Sequence, residues 1–430
     1  MPLKLNIEDP DFEADFTALL NQKRDEDKNV DTVAADILND VRKRGDAALL
    51  DYTRKFDRLD IADATALRIT KAEIEKAIGE CDRETLSALN IAAGRIERYH
   101  KQQLPDDHFY EDADGVKLGY RWTAIENVGL YVPGGRATYP SSVLMNAIPA
   151  KVAGASRVVM VVPTPDGAIN PMVLAAADLC GVDEIYRIGG AQAVGALAFG
   201  TETITPVDKI VGPGNAYVAS AKKQVFGTVG IDMIAGPSEI LVVADNRNNP
   251  DWIAADLLSQ AEHDPVAQSI LITDDANFAK NVEVAVENHL KTLGRAEIAR
   301  ASWQDYGAII LVRDLSEVPA LVDRVAPEHL ELCVEDPDSL ADKIHHAGAI
   351  FLGRYSPEAI GDYVAGPNHV LPTGRTARFS SGLSTLDFVK RTSLMKLNAD
   401  SLRRIGPAAI ALAESEGLDA HALSVSIRLN

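Results

Sequence analysis

The sequence predicts an α/β protein with two doubly wound domains, flanked by small helical segments at the two ends of the chain. Three observations carry that expectation. From about residue 130, short apolar β-forming runs alternate with helical runs, the signature of βαβ units around a parallel sheet. Glycines cluster near three strand ends, in LYVPGGRATYPSS, RIGGAQAVGALAFG and IVGPGNAYVASAKK, and the last two lead into helices. At 430 residues the chain is too long for a single hydrophobic core. The domains are Rossmann-like but incomplete. No G-x-G-x-x-G is present, and no acidic residue follows at Rossmann spacing.

Taken in order, residues 1–25 form an N-terminal arm. MPLKLNIEDPDFEADF is acidic and has no apolar h-region, so it does not read as a signal peptide. Residues 11–105 read as helical. DTVAADILNDVRKRGDAALLDYTRKF repeats apolar residues at helical spacing, with Asp31 as N-cap and Gly45 as a break. A second run, from Thr70, ends near Pro105. DGVKLGYRWTAIENVGLYVP alternates and reads as a hairpin leading into a strand. SRVVMVVP, EIYRIGG and DKIVG are strands, each followed by a helix. The alternation resumes with EILVVAD, the helix from Pro250 to Glu262, SILITD, GAIILV and GAIFLG. FVKRTSLMKL and two short amphipathic helices close the chain. The expected domains are 26–129 with 240–375, and 130–239, followed by a C-terminal segment at 376–430.

Composition narrows the function. A net charge of −20 argues against a nucleic-acid partner, which would need basic stripes. No apolar stretch approaches the ~20 residues that span a bilayer. Cys81, Cys180 and Cys333 are scattered and odd in number, with no C-x-x-C pair. Neither a disulfide framework nor a thiolate zinc site is expected, and a reducing cytoplasm fits. Each cysteine reads as a core filler or an incidental thiol rather than a nucleophile.

The second half carries the chemistry. Gln260 and His263, in LLSQAEHDP, are spaced i, i+3 and share one face of a helix end. Alone they read rather as a polar C-terminal turn with a solvated histidine. Glu328 and His329, in RVAPEHLEL, sit where a loop enters a strand. Adjacent residues of an extended segment face opposite ways, so both serve one site only from a bent loop. Such a pair suits two separate proton transfers. Asp362 and His369 occupy a Gly/Pro-rich loop after GAIFLG, and loops after strand ends are where α/β enzymes put their sites. Glu416 and His421 flank Gly417 between two helices that could simply be solvated. Together these residues offer a histidine- and carboxylate-rich pocket for a borderline metal with a base left free. His100, His108, His289, His345 and His346 lie in polar contexts and read as surface residues. The glycine turns offer helix N-termini to a phosphate-bearing ligand, or else are tight packing turns.

IDMIAGPSEILVVAD followed by NPDWIAADLLSQAEHDP closely resembles the histidinol dehydrogenase family. So do ENVGLYVPGGRATYPSSVLMNAIPAKVAG, GPGNAYV, APEHLEL, GPNHVLPTG and EGLDAH, in the right order, from about residue 30 to the C-terminus. The resemblance implies two NAD-dependent oxidations at the end of histidine biosynthesis, L-histidinol to L-histidinal to L-histidine, with one zinc ion per subunit. It puts Gln260, His263, Asp362 and His421 at zinc-ligand positions, and Glu328 and His329 at acid–base positions. Ser238, His369 and Glu416 take positions that contact substrate, as do the zinc-ligand residues and His329. Tyr131, Gln192 and Asn215 take positions that contact NAD. It further implies a homodimer whose terminal segments mediate association, with His421 supplied by the other subunit. Three other readings compete. They are a zinc hydrolase with Glu328 activating metal-bound water, a dehydrogenase of another amino alcohol or sulfonate, and a non-enzymatic metal-binding module.

Overall fold

The structure is a computed structural model that describes residues 1–22, 29–134, 139–234 and 236–429. Two parallel sheets organise it. The larger runs, edge to edge, through Leu3–Asn6, Ala308–Leu311, Gln268–Thr273, Glu239–Ala244, His329–Cys333 and Ala349–Leu352. The three central strands, EILVVA, QSILIT and HLELC, are buried at every residue, because helices cover both faces. Helices Pro250–Ala261 and Ala276–His289 close one face around Trp303. Helices Phe12–Leu20 and Val318–Val325 close the other with Phe16, Leu321 and Val322. The N-terminal arm is therefore part of this layer. Its strand was not legible, since LKLN is too short to show a period.

The smaller sheet runs Glu184–Tyr186, Arg157–Val161, Asn127–Tyr131, Lys209–Val211, Gly230–Ile231, again all parallel. Its chain order reverses at Asn127–Tyr131, the point where open α/β sheets leave a crevice. Helices Pro140–Val152, Pro171–Leu179, Gly190–Phe199 and Ala216–Val225 cover it. Helix Gly190–Phe199 buries eight of its ten residues, so it needs a further layer outside it. Helices Val30–Arg44 and Asp46–Phe56 supply that layer, clustering Leu38, Val41 and Leu49 with Leu197. Helix Arg83–Lys101 does the same for Leu144 and Ile148. Residues 30–101, which the sequence reading grouped with 240–375, thus lay their apolar faces over the smaller sheet.

A third, antiparallel sheet joins His108–Glu111, Lys117–Ala124 and Val389–Lys396. The hairpin turns at 112–116, with its first strand lying before the run expected to form it, while Asn127–Tyr131 of that run joins the smaller parallel sheet; FVKRTSLMKL supplies the third strand. Helices Ala399–Ser415 and Asp419–Ser426 follow, with Leu412, Leu423 and Ile427 each more than half exposed. Among the described residues, no helix is long and apolar enough to cross a membrane.

Candidate active site

A cavity of about 1340 Å³ separates the two sheets. One wall comes from loops that follow strands of the smaller sheet, through Tyr131, Pro163, Gly189, Gly190 and Pro213. The opposite wall comes from residues at or before the starts of strands of the larger sheet, through Ser238, Glu328 and His329. Sequence reasoning places Glu328 and His329 where a loop enters a strand, and Asp362 and His369 after a strand end, where α/β enzymes ordinarily build their sites. The larger sheet departs from that rule because its helix Pro250–Ala261 returns Gln260 and His263 to the edge where the strands begin.

The Glu328–His329 pair is built by a kink. Ala326 adopts φ 47°, ψ 59°, which ends helix Val318–Val325 and swings the chain into the strand. Both side chains then hold Glu239. The Glu239 N–H donates to Oε2 of Glu328 at 2.9 Å, and Nδ1–H of His329 donates to the Glu239 carbonyl at 2.9 Å. That donation puts the imidazole proton on Nδ1 and leaves a lone pair on Nε2. Burial, together with the charge of Glu239, pushes the Glu328 carboxyl well above the usual range. Burial lowers the His329 and His263 imidazoles and takes His369 down to about 4, so all three favour the neutral, ligating form.

Around Nε2 of His329 the cavity collects acceptors. Oε1 of Glu358 lies 3.8 Å away and Oδ1 of Asp362 3.9 Å away. The ligand atoms of His329, Glu358 and Asp362 all fall within 4.8 Å of one another. Gln260 is buried nearby with both amide atoms unpaired, as are Nε2 of His329 and Oε1 of Glu358. Buried acceptors without donors are costly, and a cation among them satisfies several at once. Mixed imidazole nitrogen and carboxylate oxygen is a donor set that suits zinc. His369 backs the group: its Nδ1–H donates to the Asp362 carbonyl at 3.0 Å, and its Nε2 stands 3.3 Å from Oγ of Ser142.

Glu358 was missed by the sequence reading. It opens helix Glu358–Tyr363, and its i, i+4 spacing from Asp362 was the available signal. Its backbone N–H donates to Oε1 of Glu331 at 2.6 Å, which anchors the helix start, and the Ser259 hydroxyl lies 3.0 Å from its Oε2 and 2.7 Å from the Asp256 carbonyl. Glu416 and His421 are exposed on the C-terminal helices and do not line the cavity of their own chain.

The far end of the cavity holds Tyr131, Gln192 and Asn215. The Gly190 N–H donates to the Tyr131 hydroxyl at 3.0 Å, and burial raises that phenol to about 12. Asn215 caps helix Ala216–Val225 by accepting from the Val218 N–H. The turn before it depends on Gly212 (φ 109°), where a Cβ would meet the Tyr131 carbonyl at 2.1 Å. A buried ion pair, Lys222 with Asp232, braces that turn. Lys222 donates to the Gly212 carbonyl at 2.9 Å, and the Gly212 N–H donates to Asp232 at 2.7 Å. Nothing in the local sequence marked this brace. Residues 135–138 of the first glycine turn lie outside the described residues.

His100 corrects one expectation. It is fully buried, not at the surface, with Nδ1 donating to the Ile96 carbonyl at 2.8 Å and Nε2 3.5 Å from Nδ2 of Asn368. A polar neighbourhood in sequence did not reveal that Asn368, beside His369, packs onto its helix. The three cysteines are unpaired, and none lines the cavity. Burial raises all three thiols, Cys180 to about 12.

The chain is similar to known proteins along its whole length. The histidinol dehydrogenase family profile matches residues 20–429. Curated histidinol dehydrogenases of Rhodospirillum rubrum and Rhizobium meliloti are each 65% identical, covering 100% of this chain and 99% of theirs. A crystal structure of histidinol dehydrogenase from Elizabethkingia anophelis superposes with a TM-score of 0.94 at 39% identity, over 100% of this chain and 98% of that one.

Proposed function

The chain belongs to the histidinol dehydrogenase family, whose members are NAD-dependent oxidoreductases of histidine biosynthesis, and on that premise we propose that it oxidises L-histidinol to L-histidinal and then to L-histidine. One observation carries the reading. A single cavity joins the proton-transfer pair and its acceptors at one end to Tyr131, Gln192 and Asn215 at the other. Gln260, His263 and Asp362 would hold zinc, with His421 supplied by a second copy of the chain. When bound, zinc would orient the substrate amine and imidazole, and NAD⁺ would accept hydride.

His329 takes the alcohol proton on Nε2, since Nδ1 is committed to Glu239. Glu328 takes a proton from the water that attacks the aldehyde. Its buried carboxyl has the raised proton affinity that a general base needs. An aldehyde is oxidised to an acid either through that hydrate or through a thiohemiacetal, and no cysteine reaches the cavity for the second route. Ser238, His369 and Glu416 contact substrate. The protein is a cytoplasmic homodimer, in keeping with its unpaired cysteines and its exposed apolar C-terminal helix faces.

The test is stoichiometric. Purified protein should reduce two NAD⁺ per L-histidinol consumed, and a chelator should abolish the reaction. One NAD⁺ per histidinol, with histidinal accumulating, would overturn the second step.

A further inference from the structure

The smaller sheet lacks a part that its architecture ordinarily supplies. In dinucleotide-binding sheets an acidic side chain at the C-terminal end of the second strand accepts hydrogen bonds from the adenosine ribose. Here the second strand, Arg157–Val161, runs on into Val162-Pro163-Thr164-Pro165, with no carboxylate before Asp166. Asp166 itself is exposed, and its carboxylate is held by Arg58.

A different segment brings a carboxylate to that place. Asp57 caps the C-terminus of helix Asp46–Phe56, and its carbonyl accepts from the Asp166 N–H at 2.7 Å. The Arg58–Asp166 pair closes the same junction, with Arg58 at φ 52°. This clasp seats Asp57 against the loop that follows the second strand. Asp57 is 6% exposed and lines the cavity beside Tyr131, Gly190 and Gln192. Its Oδ2 is buried without a hydrogen-bond partner. Arg58, the neighbouring cation, is spent on Asp166. A buried carboxylate with no donor of its own is an acceptor awaiting a ligand.

We propose that Asp57 accepts the hydroxyls of the NAD⁺ adenosine ribose, and so selects NAD⁺ over NADP⁺. The inference rests on the reading that NAD⁺ occupies this cavity. A 2′-phosphate would bring negative charge against a buried carboxylate, whereas a diol supplies the missing donors. Lys55, from the same helix, is exposed at the cavity rim and would be left to meet a phosphate once Asp57 is neutral.

The test compares NAD⁺, its 2′-deoxyadenosine analogue and NADP⁺ in the histidinol assay. Wild-type protein should lose about 10- to 100-fold in kcat/KM on going from NAD⁺ to the deoxy analogue, the effect of one hydrogen bond to a charged group. D57N should lose a similar factor with NAD⁺ and distinguish the two dinucleotides by less than about threefold. D57S should raise the NADP⁺/NAD⁺ ratio at least tenfold. KM for L-histidinol, bound zinc and melting temperature should stay at wild-type values. The proposal is overturned if folded D57N keeps the wild-type KM for NAD⁺. It is equally overturned if wild-type protein treats the deoxy analogue like NAD⁺, a measurement that needs no variant. Gln192→Ala separates the two readings. If it weakens NAD⁺ while D57N does not, the cavity holds NAD⁺ and Asp57 is idle; if neither does, the cavity assignment itself fails.

Discussion

Oε1 of Glu358 lies 3.8 Å from Nε2 of His329, and both atoms are buried without a hydrogen-bond partner among the described residues. Two buried acceptors facing each other call for a positive group beside them. Ser259 holds the Glu358 carboxylate, and Glu331 holds the backbone N–H that carries it. Glu358→Gln should therefore weaken the hold on the cation and cut kcat at least tenfold, with little change in KM for NAD⁺. Zinc titration of chelated protein checks it. Wild-type zinc affinity together with wild-type kcat would show that Glu358 is only a packing residue.

Asp362→Ala and His263→Ala should each lose bound metal and activity together. Each is expected to supply one ligand, and the ligands left behind hold zinc poorly. Metal analysis beside the assay decides the matter. Stoichiometric zinc with full activity in both variants would remove these residues from the ligand set.

Much of this site was legible in sequence because its residues sit in distinctive local runs. The i, i+3 pair Gln260–His263 and the adjacent Glu328–His329 needed no fold to be noticed. What sequence could not show was the means of assembly. Whether two adjacent side chains can share a site depends on Ala326 in a left-handed conformation and on the backbone of Glu239, 89 residues from Glu328. Glu358 hid in a helix of six residues, too short to show a period. Asp57 and the Lys222–Asp232 brace were invisible for the same reason as His100: their partners are distant, and their own surroundings are ordinary. The fold class followed from strand–helix alternation. Which helices cover which sheet did not, because an apolar helix face does not name its neighbour.

Glu328→Gln should stall the second oxidation more than the first, since only the aldehyde step needs an activated water. His329→Asn should damage the first step at least as badly. Supplying histidinal directly to each variant separates the two. A Glu328→Gln protein that oxidises the aldehyde normally but not the alcohol has the roles reversed.

His369 predicts an acid limit to stability. Burial lowers its imidazole to about 4, below the ordinary value of 6.5. As pH falls, the unfolded chain takes up that proton first. The contribution is therefore fully present above about pH 6.5 and is lost as pH falls toward 4. Chelated wild-type protein should lose roughly 3 kcal/mol more unfolding free energy than His369→Asn between pH 7 and 4. Denaturant unfolding at several pH values measures it. Parallel pH profiles would show that His369 is charged in the fold.

The last prediction concerns the exposed end of the chain. Glu416 and His421 lie on helices whose outer apolar residues, Leu412, Leu423 and Ile427, face solvent in a single chain. Such a surface calls for cover, and a second copy would both bury it and bring His421 to the partner's cavity. Each active site would then draw on two chains. Mixing an inactive His421→Ala chain with an inactive His263→Ala chain tests this. In a heterodimer with crossing ends, one site carries both defects and the other carries neither. Activity should return on subunit exchange, to about half the sites of each mixed dimer. If the heterodimer forms and stays dead, while wild-type chains survive the same exchange, then His421 serves its own subunit and the sites are not shared.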